Sequence, residues 1–346
     1  MFNTFSVPQI PQKNGFHLIR LACCLVVIVF HAAGFAEVGL SFRFFDGRDA
    51  VCVFFILSGF FVTASCLRSK SLAEYACKRF RKIFPLYWVV VVFFAIALCV
   101  TGTLSAREYF SSFGFWKYLA ANLLTLNFLH PNLPGVFNGN PVNGALWTIK
   151  IEVAFYVTLP LVLALISWRQ IKYNKHGGGG FVLPVCYVFS ALYCLAIDGL
   201  TARFSLPEQL RHQFPAFVTY FSCGMFFCLY FDRCTGRALD VAFLPALAAF
   251  FLCKLFPSPF LGSFVFPASL SVLVMWAGLR LERLGSLCRT DFSYGMYLVH
   301  FPVERLFWYY GFPAANFPLA LLAALAVSFL AAYFVTTPSA FCLKTP

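Results

Sequence analysis

Apolar runs long enough to cross a bilayer follow one another through almost the whole of this chain, and that feature constrains its fold more than any other. They cover roughly 17–36, 50–66, 84–101, 147–167, 181–198, 214–231, 238–256, 261–280, 291–310 and 317–337. About 20 apolar residues in a helix span the hydrocarbon core. Backbone groups in lipid must be satisfied within the segment, which selects helix, and the runs are too long and continuous for barrel strands. Charged residues make up 11% of the 346 and hydrophobic residues 61%, whereas a soluble domain carries about 25% charged residues. The expectation is an all-α polytopic membrane protein with about ten transmembrane helices, forming a single domain over 1–346 with no fused soluble domain.

The positive-inside rule orients the spans. With the N-terminus in the cytoplasm, about 16 Lys and Arg fall on that side and about six outside, among them Arg43, Arg48, Arg107 and Lys117. Both termini are then cytoplasmic, and the localisation expected is the bacterial inner membrane, multi-pass. This asymmetry accounts for the net charge of +13 without nucleic acid as a partner; membrane lipids take that place. Arg20, Lys150, Lys254 and Arg305 fall inside spans. The 14 cysteines sit mostly in apolar runs, where Cys is a small filler, and no disulfides and no metal site are expected. Arg20 and His31 make the first run a retained span rather than a cleavable signal. Segment 102–146 forms a long outer loop, with 118–130 re-entrant or interfacial, and Gly177–Gly180 reads as a flexible linker.

Ionisable groups inside a bilayer cost about 2.5–3.5 kcal/mol each, so they need a reason to be there. Arg20 and His31 share the first span, roughly 16 Å apart along one helix face. The guanidinium suits a phosphate or carboxylate, and the imidazole can accept a hydroxyl proton. Equally, Arg20 can snorkel to the interface and His31 can serve a helix contact. Glu152, in a segment that also carries Trp147 and Tyr156, is expected to face the interior. There it would orient His31, neutralise Arg20 or Lys150, or form a structural ion pair. The basic run Lys78, Arg79, Arg81 and Lys82 reads either as a topology signal or as a dock for the phosphates of a cytoplasmic cofactor. Ser293 to His300 places Tyr294 and an intramembrane His300 near the start of the ninth span.

Five motifs in order, over about Asn14 to Thr337, resemble the bacterial membrane acyltransferase-3 family, which O-acylates surface polysaccharides, lipopolysaccharide and related glycans. Arg20 and His31 resemble its Arg-x10-His signature, and Phe54 to Phe60 with Ser58 its second-helix motif. Arg79 to Trp88 is similar to its basic loop and Pro-x-Tyr-Trp. Leu146 through Glu152, Phe155 and Tyr156 resembles a further segment, and Ser293 to His300 another. Two positions depart: Lys82 stands where a second arginine is common, and Thr336-Thr337-Pro338 lacks a Glu before the proline. The resemblance implies a membrane O-acyltransferase using acetyl-CoA or another acyl-CoA as donor, with a glycan or lipid-linked sugar as acceptor and no metal. Lys78, Arg79, Arg81 and Lys82 would steer the donor's phosphates, His31 would act on the acceptor hydroxyl, and Arg20 and Glu152 would support it. The rival reading is a proton-coupled transporter or flippase, which uses the same intramembrane residue types.

Overall fold

The computed structural model describes residues 5–40, 42–172, 181–285, 291–311 and 316–336. The Gly177–Gly180 segment, Cys288, Cys342 and the Thr337-Pro338 pair lie outside them. The described chain is all-α: α1 (Phe16–Phe35), α2 (Gly47–Arg68), α3 (Leu72–Ala97), α4 (Ala106–Ser111), α5 (Phe113–Leu123), α6 (Trp147–Lys172), α7 (Val182–Phe204), α8 (Phe214–Leu229), α9 (Phe231–Cys234), α10 (Arg237–Leu255), α11 (Phe266–Arg280), α12 (Glu282–Gly285), α13 (Ser293–Tyr309) and α14 (Phe317–Thr336). Among the described residues, seven helices are long and apolar enough to cross a membrane, and two shorter apolar ones are α8 and most of α14. The remaining expected span, 291–310, is helical as α13 but carries His300, Glu304 and Arg305, which lower its hydropathy.

Several boundaries move for identifiable reasons. α2 begins three residues before its apolar run because Asp46 and Asp49 form a reciprocal capping box, satisfying backbone N–H groups that have no helical partner. α3 begins twelve residues early, so the basic run is not a loop: Lys78, Arg79, Arg81 and Lys82 lie on the helix itself. An (i, i+4) pair between Glu74 and Lys78, at 2.6 Å, supports its first turns. In segment 102–146, α5 is an eleven-residue helix, about 16 Å long and too short to cross. All cysteines among the described residues are free thiols.

The chain divides into two compact units, with boundaries inside α1, α3 and α6. One unit comprises residues 1–23, 43–78 and 151–289. Its centre is the crossing of α2 and α8, where bare backbones meet: a Cβ on Gly59 would run into the Phe221 carbonyl, and one on Gly224 into that of Ile56. Small residues permit the close approach that holds helices together without a hydrophobic drive. Phe155 of α6 stacks on Phe221 with centroids 4.0 Å apart. The second unit comprises 24–42, 79–150 and 290–346. In it α13 packs on α14, Gly295 lying so close to Ala332 that a side chain there would collide.

Prolines inside helices free carbonyls that lipid cannot satisfy. Pro160 removes the N–H that would reach Tyr156 O, and the Tyr75 hydroxyl donates there instead at 3.1 Å. Pro302 does the same to Leu298 O, and the Asn143 amide donates to it at 2.8 Å. The four in-span cations each sit over a phenylalanine ring: Arg20 on Phe61, Lys150 on Phe128, Lys254 on Phe266 and Arg305 on Phe35, at 4.6–4.9 Å. A cation over a desolvated ring gains about 0.5–2 kcal/mol. Lys254 is also paired with buried Asp49 at 2.6 Å.

Candidate active site

The second unit gathers its chemistry where the last turns of α1 meet α13. His31 Nδ1 lies 3.1 Å from His300 Nε2, and the two rings are 5.3 Å apart at 20°. His300 is fully buried, and its Nδ1 lies 2.7 Å from the carbonyl of Tyr297, one turn back. A carbonyl only accepts, so that nitrogen carries the proton. The Tyr297 hydroxyl is within 3.0 Å of Thr148 Oγ1 and 3.3 Å of Ala145 O, which ties α13 to the start of α6.

One turn beyond His300 stands Glu304, with no accessible surface. Among the described residues neither of its carboxylate oxygens has a hydrogen-bond partner. One ligand atom each from His31, His300 and Glu304 fit within 4.8 Å of one another, a group that could hold a metal ion. Arg305 follows, its guanidinium between Phe35 and Phe301 at 4.9 and 5.4 Å from their centroids.

His31 also lines an open cavity of about 490 Å³, together with Phe30, Phe35, Phe42, Phe301 and Glu37. The tight turn that ends α1 forms part of the cavity wall. Val38 N–H donates to Ala33 O and Glu37 N–H to Gly34 O, the pattern of a Schellman cap. Glu37 takes the left-handed position, φ 53°, where glycine is usual. Opposite, the bare Cα of Gly144 accommodates the edge of Phe301.

The other sequence candidates fall into place by unit. In the first, Glu152 Oε1 accepts from the Tyr156 hydroxyl at 2.6 Å and from Ser58 Oγ at 3.1 Å. Ser58 and Tyr156 are buried. Ser58 of one motif and Glu152 and Tyr156 of another thus make one cluster. Arg20 belongs to the same unit, against Phe61. In the second unit lie Arg79, half-buried, and exposed Arg81 and Lys82. Lys78, just across the boundary, is held by Glu74 and Ser69. Tyr294 donates to Ile83 O of α3 at 3.0 Å, and half-buried Trp147 opens α6. Sequence reading passed over Glu304 and Glu37. The signal for Glu304 was present, since it stands four residues after His300 and so on the same helical face. Nothing local marked Glu37.

A family model described as an acyltransferase domain matches residues 13–337. The chain belongs to the acyltransferase-3 family. It is therefore a membrane acyltransferase, and the likeness read from the five motifs is borne out. Nodulation protein 10 of Rhizobium leguminosarum bv. viciae is 29% identical over 311 residues, covering 84% of this chain and 82% of the relative. An O-acetyl transferase of Shigella phage Sf6 is 24% identical over 92% of both chains. Exopolysaccharide production protein ExoZ of Rhizobium meliloti is 28% identical over 79% and 80%. No solved structure matches the chain.

Proposed function

We propose that this acyltransferase moves an acetyl or other short acyl group from acyl-CoA to a hydroxyl of a glycan or lipid-linked sugar at the bacterial inner membrane, N-terminus in the cytoplasm. The observation that carries the reading is the position of His31 on the wall of the aromatic cavity. Its volume falls in the range of about 300–1,000 Å³ typical of small-ligand sites. Phenylalanine faces suit the C–H faces of a sugar ring, and exposed Glu37 can accept from its hydroxyls. The names of the phage and exopolysaccharide relatives support a glycan acceptor.

His31 is the general base. As the acceptor oxygen attacks the thioester carbonyl, its proton passes to the imidazole; the tetrahedral intermediate then breaks its C–S bond and the same proton goes to the thiolate. Exposed Arg81 and Lys82 with Arg79 take the donor's phosphates, joined by Lys78 at the edge of the run; Arg20 is proposed by itself as an anion contact of the first unit. Glu152, fixed by Ser58 and Tyr156, balances cations in the first unit. Tyr294, Trp147 and His300 shape the surroundings of the acceptor and base. No step requires a metal.

The test is acetyl-CoA consumption and glycan acetylation by protein in nanodiscs with membrane glycan extract, read by free thiol and by mass spectrometry. His31→Ala should lower the rate about 10²–10⁴-fold. Full activity of that variant, or movement of unmodified glycan without donor, would overturn the assignment.

A further inference from the structure

We propose that His300 and Glu304 are positioning residues for the transfer: His300 locks His31 in the tautomer whose Nε2 is the base, and Glu304 balances the positive charge that His31 acquires. This rests on the general-base reading of His31.

The tautomer follows from an ordered chain of donors. The Tyr297 carbonyl receives the proton on His300 Nδ1 at 2.7 Å, so in a neutral ring Nε2 of His300 holds a lone pair. The neighbour 3.1 Å away, His31 Nδ1, must then donate. A neutral His31 protonated on Nδ1 has its only lone pair on Nε2. The base nitrogen is thereby chosen by a backbone carbonyl two side chains distant. Tyr297 is in turn anchored to Thr148 and Ala145, and α13 is pinned by Asn143 at Leu298 O, so the chain starts from a fixed point.

Glu304 supplies what the dyad lacks. An uncompensated carboxylate buried away from water is costly, by several kcal/mol, yet Glu304 is fully buried with neither oxygen bonded among the described residues. One of its carboxylate oxygens lies within 4.8 Å of a ring nitrogen of each imidazole. Of the charged and titratable groups near the pair, Glu304 and Tyr297 come from α13 and Glu37, on the cavity wall with His31, from the turn after α1; Arg305 follows Glu304 on α13 and sits over Phe35 and Phe301. When the acceptor's O–H bond breaks, the proton joins His31 Nε2 and the Nδ1 proton leans toward His300 Nε2. Glu304 faces the resulting cation until collapse of the intermediate sends the Nε2 proton to the leaving thiolate.

The direct measurement is ¹⁵N NMR of histidine-labelled full-length protein in nanodiscs, with His31→Asn for assignment. His31 should be protonated on Nδ1; protonation on Nε2 overturns the proposal. In the acetyl-CoA assay, His300→Leu should lower kcat about 10²–10⁴-fold with KM unchanged, while His300→Gln, whose side-chain oxygen reaches the place of Nε2, should recover most of it. Glu304→Gln should lower kcat with KM for acetyl-CoA unchanged, a split that a purely structural role would not produce. If His31→Ala is inactive but His300→Leu is fully active, this inference alone falls. If His31→Ala is active, the general-base reading falls first. Stoichiometric metal in the purified protein, lost in His300→Leu, also overturns it, because the two facing nitrogens would then be ligands.

Discussion

Glu37 closes α1 in a left-handed conformation, φ 53°, at a position that favours glycine because a Cβ there is crowded. A charged residue retained at that cost, on the wall of the cavity, points to use. Glu37→Gly is expected to leave thermal stability level or raised by about 1 kcal/mol, while raising KM for the acceptor. A stability loss with unchanged KM would assign Glu37 to the turn alone. Glu152 presents the opposite case, a half-buried carboxylate satisfied by two hydroxyls. Tyr156→Phe removes the shorter bond and should cost about 1–3 kcal/mol, measurable as a lower unfolding temperature in detergent. Phenylalanine keeps the ring, so a loss of that size reports the hydroxyl.

Among the elements, the helices are shaped by residues that soluble helices avoid. Pro302 and Asn143 form a linked pair, since the proline creates the unsatisfied Leu298 carbonyl that the amide then serves. Asn143→Ala should cost about 1–3 kcal/mol, and much less in a Pro302→Ala background, where the restored N–H reaches Leu298 O. Additive costs in that double-mutant cycle would refute the pairing. At the α2–α8 crossing the limiting quantity is space. Gly59→Val drives a side chain into the Phe221 carbonyl, and overpacking of this kind costs about 1–3 kcal/mol or more. The expected readout is poor recovery of folded protein, which an alanine in an exposed position such as Gly34, with open space around it, would not reproduce.

For the whole molecule, topology is the property to measure. Cys77 is exposed on the first turns of α3, and the charge asymmetry predicts that it faces the cytoplasm. A membrane-impermeant maleimide should label it in inside-out vesicles and not in intact spheroplasts, with Cys77→Ser as the blank; the reverse pattern would invert the topology. Much of this architecture was legible in the chain. Helix type and approximate spans follow from hydropathy alone, because lipid forces each segment to satisfy its own backbone. Arg20, His31, Glu152 and His300 stood out because ionisable groups in apolar runs are costly. The basic run was misplaced in a loop because hydropathy sees where a helix enters lipid, not where it begins. Sequence thus determined the solvent, the secondary structure and which residues had to be explained. Tertiary structure alone decided which of them meet. His31 and His300 touch across 269 positions, Ser58 and Glu152 across 94, and the cavity is walled by the end of α1 and its turn together with Phe301 of α13. Periodicity and hydropathy are properties of neighbours along the chain, whereas these partnerships arise from packing between helices.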